Sequence, residues 1–381
     1  MKLYKIDASK NQKELLKQLN VDSGGIAIIS DKMNIMTFLI RDLRTPAANI
    51  LKQDALSIGA EVATPRGTIT CETQFCDVLL IVTPAQLKKI IKKELAQPFG
   101  LKAVAQELQK FNKTNKFEPK IMGIINANSD SFYDKSRFNS ANAISEIEKM
   151  IEDGADIIDI GAVSSRPNAP IVSSDEEMER IKDICDAIKE QKLYEKAIFS
   201  IDSYTPSVVE YALISGFKII NDITGASDNE IIKLAIKYSS KLCIMHMQGT
   251  PQTMQQTPHY EDVMSEVSDF FEERITKCEA LGLGKENIII DVGIGFGKSL
   301  EHNLALIKNL SHFEKFGCEI LMGASRKSMI DKIIKTPIED RLSGTLAIHL
   351  KALENGANII RCHDVSEHKQ AISVWQEIQG A

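Results

Sequence analysis

From residue 117 onward the chain alternates between short, β-rich apolar runs and longer stretches of helical periodicity. The runs occupy 120–127, 155–162, 197–203, 218–224, 241–247, 287–293, 319–325 and 358–364. Each is nearly continuous in apolar character, the pattern of parallel strands buried on both faces. The stretches between them carry helix boundaries. Thr205-Pro206 sets a cap before a proline suited to the first helical turn, and Gly216 closes that helix. Ser174-Asp-Glu-Glu177 has capping-box spacing ahead of another. Strands alternating with helices imply a parallel sheet. Eight such units in roughly 265 residues match an α/β fold of the (β/α)8 TIM barrel type. A doubly wound open sheet is the alternative, because strand number alone does not prove closure.

The first 115 or so residues are patterned differently, and the polar stretch Phe111-Asn-Lys-Thr-Asn-Lys-Phe117 separates the two regions. Residues 25–30 and 77–82 read as strands. Residues 86–96 read as an amphipathic helix with Leu87, Ile90, Ile91 and Leu95 on one face. Its lysines, Lys88, Lys89, Lys92 and Lys93, form either a solvated face or a contact for an acidic partner. The expected organisation is a small N-terminal α/β domain of unassigned role over 1–116, followed by a barrel over 117–381.

Composition narrows the class. Of 381 residues, 43% are hydrophobic and 26% charged, which is ordinary globular composition and excludes wholesale disorder. Lysine and arginine total 46 against 52 acids, so no basic surplus points to nucleic acid. The seven cysteines include no CxxC pair, which fits a reducing cytosol better than a disulfide framework or structural zinc. No apolar signal core or membrane-spanning run is present in the sequence, so a soluble cytoplasmic protein is expected.

Barrel enzymes carry their reactive residues at the C-terminal ends of the strands. Here every predicted strand ends on polar groups: Asn126, then Ser164-Ser165-Arg166-Pro167, Asp202, Asn221-Asp222, His246-Met247-Gln248, Asp291, Ser325-Arg326-Lys327-Ser328 and Arg361-Cys-His363-Asp364. One such group can be a capped turn; eight sets converging on one rim point to a small-molecule site. Arg166, Arg361 and His363 are donors suited to phosphate oxygens. Asn126 offers a neutral oxygen to magnesium, which keeps several waters and leans on substrate phosphates. Asp202, Asn221, Asp291 and Lys327 suit a flat heterocycle with amino, imino and carbonyl edges. The glycine-rich segment from Asp291 to Ser299 ends in Gly-Lys-Ser, but Val292 stands where a P-loop needs its first glycine. Its glycines are expected instead to bring backbone close to a ligand and to expose Phe296 on a sharp turn.

Several ordered segments carry a family resemblance. They are Met122-Gly-Ile-Ile-Asn126 with Asp130-Ser-Phe132, Gly154 to Gly161 with Ser164 to Pro167, and Ser200-Ile-Asp-Ser203. Next come Ile220-Asn-Asp-Ile223, Met245 to Gly249 with Thr253-Met-Gln255, and Asp291 to Lys298 with His302-Asn303. Gly323 to Ser328, Leu342 to Ala347 and Arg361 to Val365 complete the set. Together they resemble the dihydropteroate synthases, folate-pathway enzymes, from Lys120 to Ile372. The resemblance implies that hydroxymethyl-dihydropterin diphosphate is joined to para-aminobenzoate, with diphosphate released with magnesium's help. It implies that Asp202, Asn221, Asp291 and Lys327 hold the pterin, with Met247 and Phe296 packing nearby. Asn126, Arg166, Arg361 and His363 take the diphosphate and its metal, and these four with Lys327 form the catalytic set. Ser165, Pro167 and Ser328 become para-aminobenzoate contacts. A homodimer and sensitivity to sulfonamides, which mimic para-aminobenzoate, follow from the same resemblance.

Asn128 and Ser129 stand where the family has threonine and proline, and Ala162 and Val163 where it has glycine and glutamate. Two other functions compete. A catalytically silent pterin-binding or regulatory protein on the same barrel is disfavoured because Arg166, Arg361 and His363 are all present. A P-loop nucleotide hydrolase is disfavoured by Val292.

Overall fold

The computed structural model describes residues 2–4, 6, 12–112, 115, 117–127, 140–163, 172–254 and 257–380. The chain divides into two compact units, Met1–Thr114 with Gln376–Ala381, and Asn115–Trp375.

The first unit holds an antiparallel sheet of β1 (Met36–Arg44), β2 (Glu61–Ala63) and β3 (Phe75–Val82), in the order β1-β3-β2. Val78, Leu80 and Val82 alternate into a core shared with Leu51, Leu87, Ile90 and Leu108. The predicted strand at 77–82 is therefore present. The predicted strand at 25–30 is not, because these residues lie in the helix Ser23–Ser30, with Asp22 at its N-cap. A short apolar run cannot by itself distinguish the two. The helix expected at 86–96 runs Pro84–Glu94, started by a capping box between Thr83 and Gln86. Leu87, Ile90 and Ile91 are buried, whereas Leu95 follows the last helical residue and is 40% exposed. Two of its lysines are paired within the chain, Lys88 with Asp31 at 2.6 Å and Lys93 with Asp54 at 2.9 Å.

In the second unit eight parallel strands close into a barrel. They are β4 (Lys120–Asn126), β5 (Ile157–Gly161), β6 (Ile198–Asp202), β7 (Ile219–Asp222), β8 (Lys241–Met245), β9 (Ile288–Asp291), β10 (Glu319–Met322) and β11 (Ile359–Cys362). One strand falls inside each predicted run, and β11 pairs with β4 to complete the circle, which rules out the open sheet. Among the helices, Pro206–Ile214 begins on its proline as expected. The helix at Ser174–Glu190 is capped one residue earlier than expected, by Ser173, whose side chain accepts from the Glu176 N–H.

The alternation along each strand builds two cores. Met122, Ile157, Ile219, Cys243, Ile289, Leu321 and Ile359 fill the barrel interior. Their neighbours Ile121, Ile158, Ile220, Leu242, Ile290, Ile320 and Ile360 face the helices. Two residues beyond Ile157, Ile219, Ile289 and Ile359, on the same inward face, stand Asp159, Asn221, Asp291 and Arg361. The polar layer is a consequence of register. Below the apolar layer, at the N-terminal end of the strands, Glu319 is 3% exposed and bridges Lys120, at 2.7 Å, and Lys241. No helix among the described residues is long and apolar enough to cross a membrane.

Candidate active site

Arg361 organises the polar layer. Its Nε donates to Oδ2 of Asp159 at 2.6 Å, and its Nη2 donates to Oδ2 of Asp202 at 2.8 Å. Asn221 Nδ2 donates to the same Asp159 oxygen at 3.1 Å. Strands β5, β6, β7 and β11 are thus tied through one guanidinium and two carboxylates. Asp291 accepts the Gly293 N–H at 2.8 Å. Lys327 donates to the Ile294 carbonyl oxygen, and its ammonium lies 4.5 Å from the centre of the Phe296 ring. Strand pairing sets Asn126 beside Gly161, Gly161 beside Asp202, and Asp202 beside Asn221.

Burial dominates the electrostatics. It pushes the carboxyls of Asp202 and Asp291 up from the ordinary range, opposed by Arg361 at Asp202 and by Lys327 at Asp291. It also lowers Lys327 to about 8, against the pull of Asp291. Charges held in so dry a place act on a ligand far more strongly than they would in water.

The structure brings Asp202, Asn221, Asp291, Phe296, Lys327 and Arg361 into one cluster. Met247 lies outside that cluster and lines a cavity of about 300 Å³ with Ile223, Met245 and Phe270. His363 is exposed at the rim, its Nδ1 2.9 Å from Ser325 Oγ. Asn126 is half-buried at the end of β4, and Ser328 is exposed as the first residue of the helix Ser328–Ile333. Ser165, Arg166 and Pro167 lie outside the described residues, as do Asn128 and Ser129. Two other strand-end groups serve the fold. Asp222 is fully buried and accepts from Thr224 N, Thr224 Oγ1 and Ala226 N. Gln248 exchanges two hydrogen bonds with the His259 backbone.

The glycine-rich segment approaches protein backbone rather than leaving a cradle for phosphate. Gly293 and Gly297 have φ of +67° and +60°, and a Cβ on either would collide with the carbonyl oxygens of His246 and Gln248. Lys298, which a P-loop would aim at phosphates, is 1% exposed. Its three donors meet His246 Nδ1 at 2.9 Å, His246 O at 3.2 Å and Phe296 O at 3.0 Å. Phe296 is half-buried at the turn.

A family model described as pterin binding enzyme matches residues 122–363. The chain belongs to the pterin binding enzyme family. It is 43% identical over 378 residues to a bifunctional dihydropteroate synthase/dihydropteroate reductase from Helicobacter pylori, covering 96% of this chain and 99% of the relative. It is similar to the solved dihydropteroate synthase of Yersinia pestis in complex with a sulfonamide drug. That match has 35% identity and a TM-score of 0.66, over 69% of this chain and 95% of the other. A Xanthomonas albilineans dihydropteroate synthase solved with 4-aminobenzoic acid matches at 33% identity and a TM-score of 0.64, over 69% of this chain and 94% of that one. Within the pterin binding enzymes the chain stands among the dihydropteroate synthases, transferases of folate biosynthesis.

The strand-end reading of this pterin binding enzyme misses one residue and the role of another. Asp159 lies inside a predicted strand rather than at its end. The signal was there: an acid flanked by isoleucines in a doubly buried run must be paired to be tolerated. Arg326 was read only as a rim group. It holds a left-handed backbone with φ +55°, and its guanidinium grips Asp364, Ile338 O and Glu339 O. That conformation turns the chain between Ser325 and Lys327, a constraint no sequence pattern announces.

Proposed function

We propose that the buried Asn221 and Asp291 and the half-buried Asp202 and Lys327 bind the pterin of a dihydropterin diphosphate, while Arg361, His363, Arg166 and Asn126 meet its diphosphate. The observation that carries this is the order of groups along the barrel axis. A layer of carboxylates, an amide and an ammonium, each buried or half-buried, lies beneath a rim bearing an exposed imidazole. The C–O bond to diphosphate breaks with its electron pair leaving on oxygen, and Arg361 and His363 offset the charge that develops there. The cation left on the pterin methylene is delocalised into the ring, where Asp202 and Asp291 favour it. The amine of para-aminobenzoate then forms the C–N bond and loses its proton. Ser328, Ser165 and Pro167 are assigned to that second substrate by the family resemblance.

Magnesium is tested by its donors. Among the described residues no three His, Cys, Asp or Glu side chains are grouped to hold a metal. The half-buried Asn126 contributes one neutral oxygen at the rim. This set suits a cation that arrives with the diphosphate and keeps its waters. When bound it would neutralise charge on the departing diphosphate. By the same resemblance the working unit is a homodimer in the cytoplasm.

The match to the Helicobacter pylori relative runs nearly end to end, so the proposal extends to the second activity in that relative's name. The chain would also reduce dihydropteroate, using the first unit and a two-electron donor.

The test is diphosphate release by the purified chain with dihydropterin diphosphate, para-aminobenzoate and magnesium, omitting each in turn. Release that requires all three supports the synthase roles. No release, or release indifferent to para-aminobenzoate, rejects them.

A further inference from the structure

The loops after β10 and β11 are joined by a closed ring of hydrogen bonds that no step above uses. Ala324 donates its backbone N–H to Nε2 of His349 at 3.1 Å. Nδ1 of His349 lies 2.8 Å from Nε2 of His368, and Nδ1 of His368 lies 2.6 Å from the Asp364 carbonyl oxygen. The Asp364 carboxylate closes the ring by accepting from Arg326 Nε and Nη2 at 3.0 and 2.5 Å.

The two ends fix the protons between them. A backbone N–H only donates and a carbonyl oxygen only accepts. His349 therefore accepts at Nε2 and donates from Nδ1; His368 accepts at Nε2 and donates from Nδ1. Both rings are neutral in this arrangement, and each is 1% exposed. Burial lowers the pKa of both, which favours the same state. The helix Leu342–Glu354 reaches the β10 loop twice from one face. Thr345 Oγ1 accepts the Arg326 N–H at 2.9 Å, and His349, four residues on, accepts that of Ala324. Between these anchors sits Ser325, whose hydroxyl meets His363, and just beyond them Lys327.

We propose that His349 and His368 are positioning residues for the synthase reaction, latching the loop that carries Lys327 to the loop that carries His363. The inference rests on the roles proposed above for those two side chains. Both loops lie on the site's edge, where His363 is exposed, and a reacting geometry must be held to about 0.5 Å. The latch supplies that rigidity from beneath without touching substrate.

The full chain is compared as parent, His349→Phe, His349→Gln and Lys327→Ala, by steady-state kinetics for both substrates at a temperature where circular dichroism shows each folded. Phenylalanine fills the space but offers no acceptor or donor. Its kcat should fall about tenfold or more, equivalent to ~1.4 kcal/mol of lost transition-state stabilisation, with KM for para-aminobenzoate moving less. Glutamine offers an acceptor for Ala324 and a donor for His368, and should restore most of kcat. If His349→Phe does not fold, His368→Phe against His368→Gln makes the same comparison. Phenylalanine and glutamine variants that both turn over like the parent overturn the latch, and an inactive Lys327→Ala then leaves the proposed function standing. Undiminished turnover in Lys327→Ala would remove Lys327 from the site and overturn the latch with it.

Discussion

Asp159 offers the sharpest test of how the site is held. Its Oδ2 accepts both Arg361 Nε and Asn221 Nδ2, while its Oδ1 is buried and meets no donor among the described residues. Asp159→Ala removes both bonds at once. Losing the sole partner of a buried charge costs about 3–5 kcal/mol, but Arg361 keeps Asp202 on its other nitrogen. What remains is a charged donor and an amide donor left unpaired, each worth about 1–3 kcal/mol. A water entering the polar space would recover part of that, so the expected loss is about 2–4 kcal/mol.

Asp159→Asn is a different perturbation. Its amide oxygen can take the Oδ2 position and keep both bonds, and its Nδ2 replaces an oxygen that had nothing to lose. Only the negative charge goes. At 4 Å and an effective dielectric constant of 20 that is about 4 kcal/mol of attraction, largely offset because a buried carboxylate no longer has to be dehydrated. The net loss should be about 1 kcal/mol, with turnover impaired because Arg361 is less firmly aimed. Urea unfolding followed by circular dichroism measures both variants. An asparagine variant as unstable as the alanine variant would mean that Oδ1 has a partner after all. A loss below about 0.5 kcal/mol in both, the size of a neutral surface change, would mean that Asp159 does not hold Arg361.

Two further outcomes follow from the same structure. Burial works to raise the Glu319 pKa and the ammoniums of Lys120 and Lys241 overcome it, leaving it lowered; its stabilisation is complete above the unfolded value of about 4.3 and is lost as pH falls through the folded one. Glu319→Gln should therefore be less stable than the parent by about 1–3 kcal/mol at pH 7, with the gap closing toward pH 3 in urea titrations, and a gap independent of pH would refute the pairing. A chain limited to residues 115–375 should keep synthase turnover and lose the proposed reduction of dihydropteroate, since the Yersinia pestis synthase is spanned to 95% by only 69% of this chain; if the full chain reduces dihydropteroate and the fragment does so equally, the first unit has no part in that step.

The barrel was legible because its strands are buried on both faces and so read as uninterrupted apolar runs, each stopping where a polar residue marks the rim. Asp202, Asn221, Asp291 and Arg361 were visible as such stops. Asp159 was not, because it lies inside the predicted run 155–162 and only the register reveals that it shares the layer of the others. The histidine latch was hidden for a different reason. His349 and His368 lie on separate helices, 19 residues apart, and nothing in either helical pattern says that two imidazoles meet. In the first unit the short run at 25–30 was misread because it lacks the length that separates strand from helix. The alternation of Met36, Phe38 and Ile40 is the sequence signal of β1.

The polar layer also explains why this barrel does not fill its upper interior with apolar side chains as it does the layer below. A buried ion pair replaced by well-packed apolar groups is often as stable or more so, so Asp159, Asp202 and Arg361 are not there for stability alone. Each of these charges needs the others, and Arg361 is the counter-ion that lets Asp159 and Asp202 remain in the barrel mouth. On the proposed roles, a pterin donating to Asp202 would share that carboxylate with Arg361, whose guanidinium would also face the diphosphate. On that reading Arg361 would link the pterin-binding layer to the rim. Asp159, which no proposed substrate contact uses, would keep Arg361 anchored whatever Asp202 accepts.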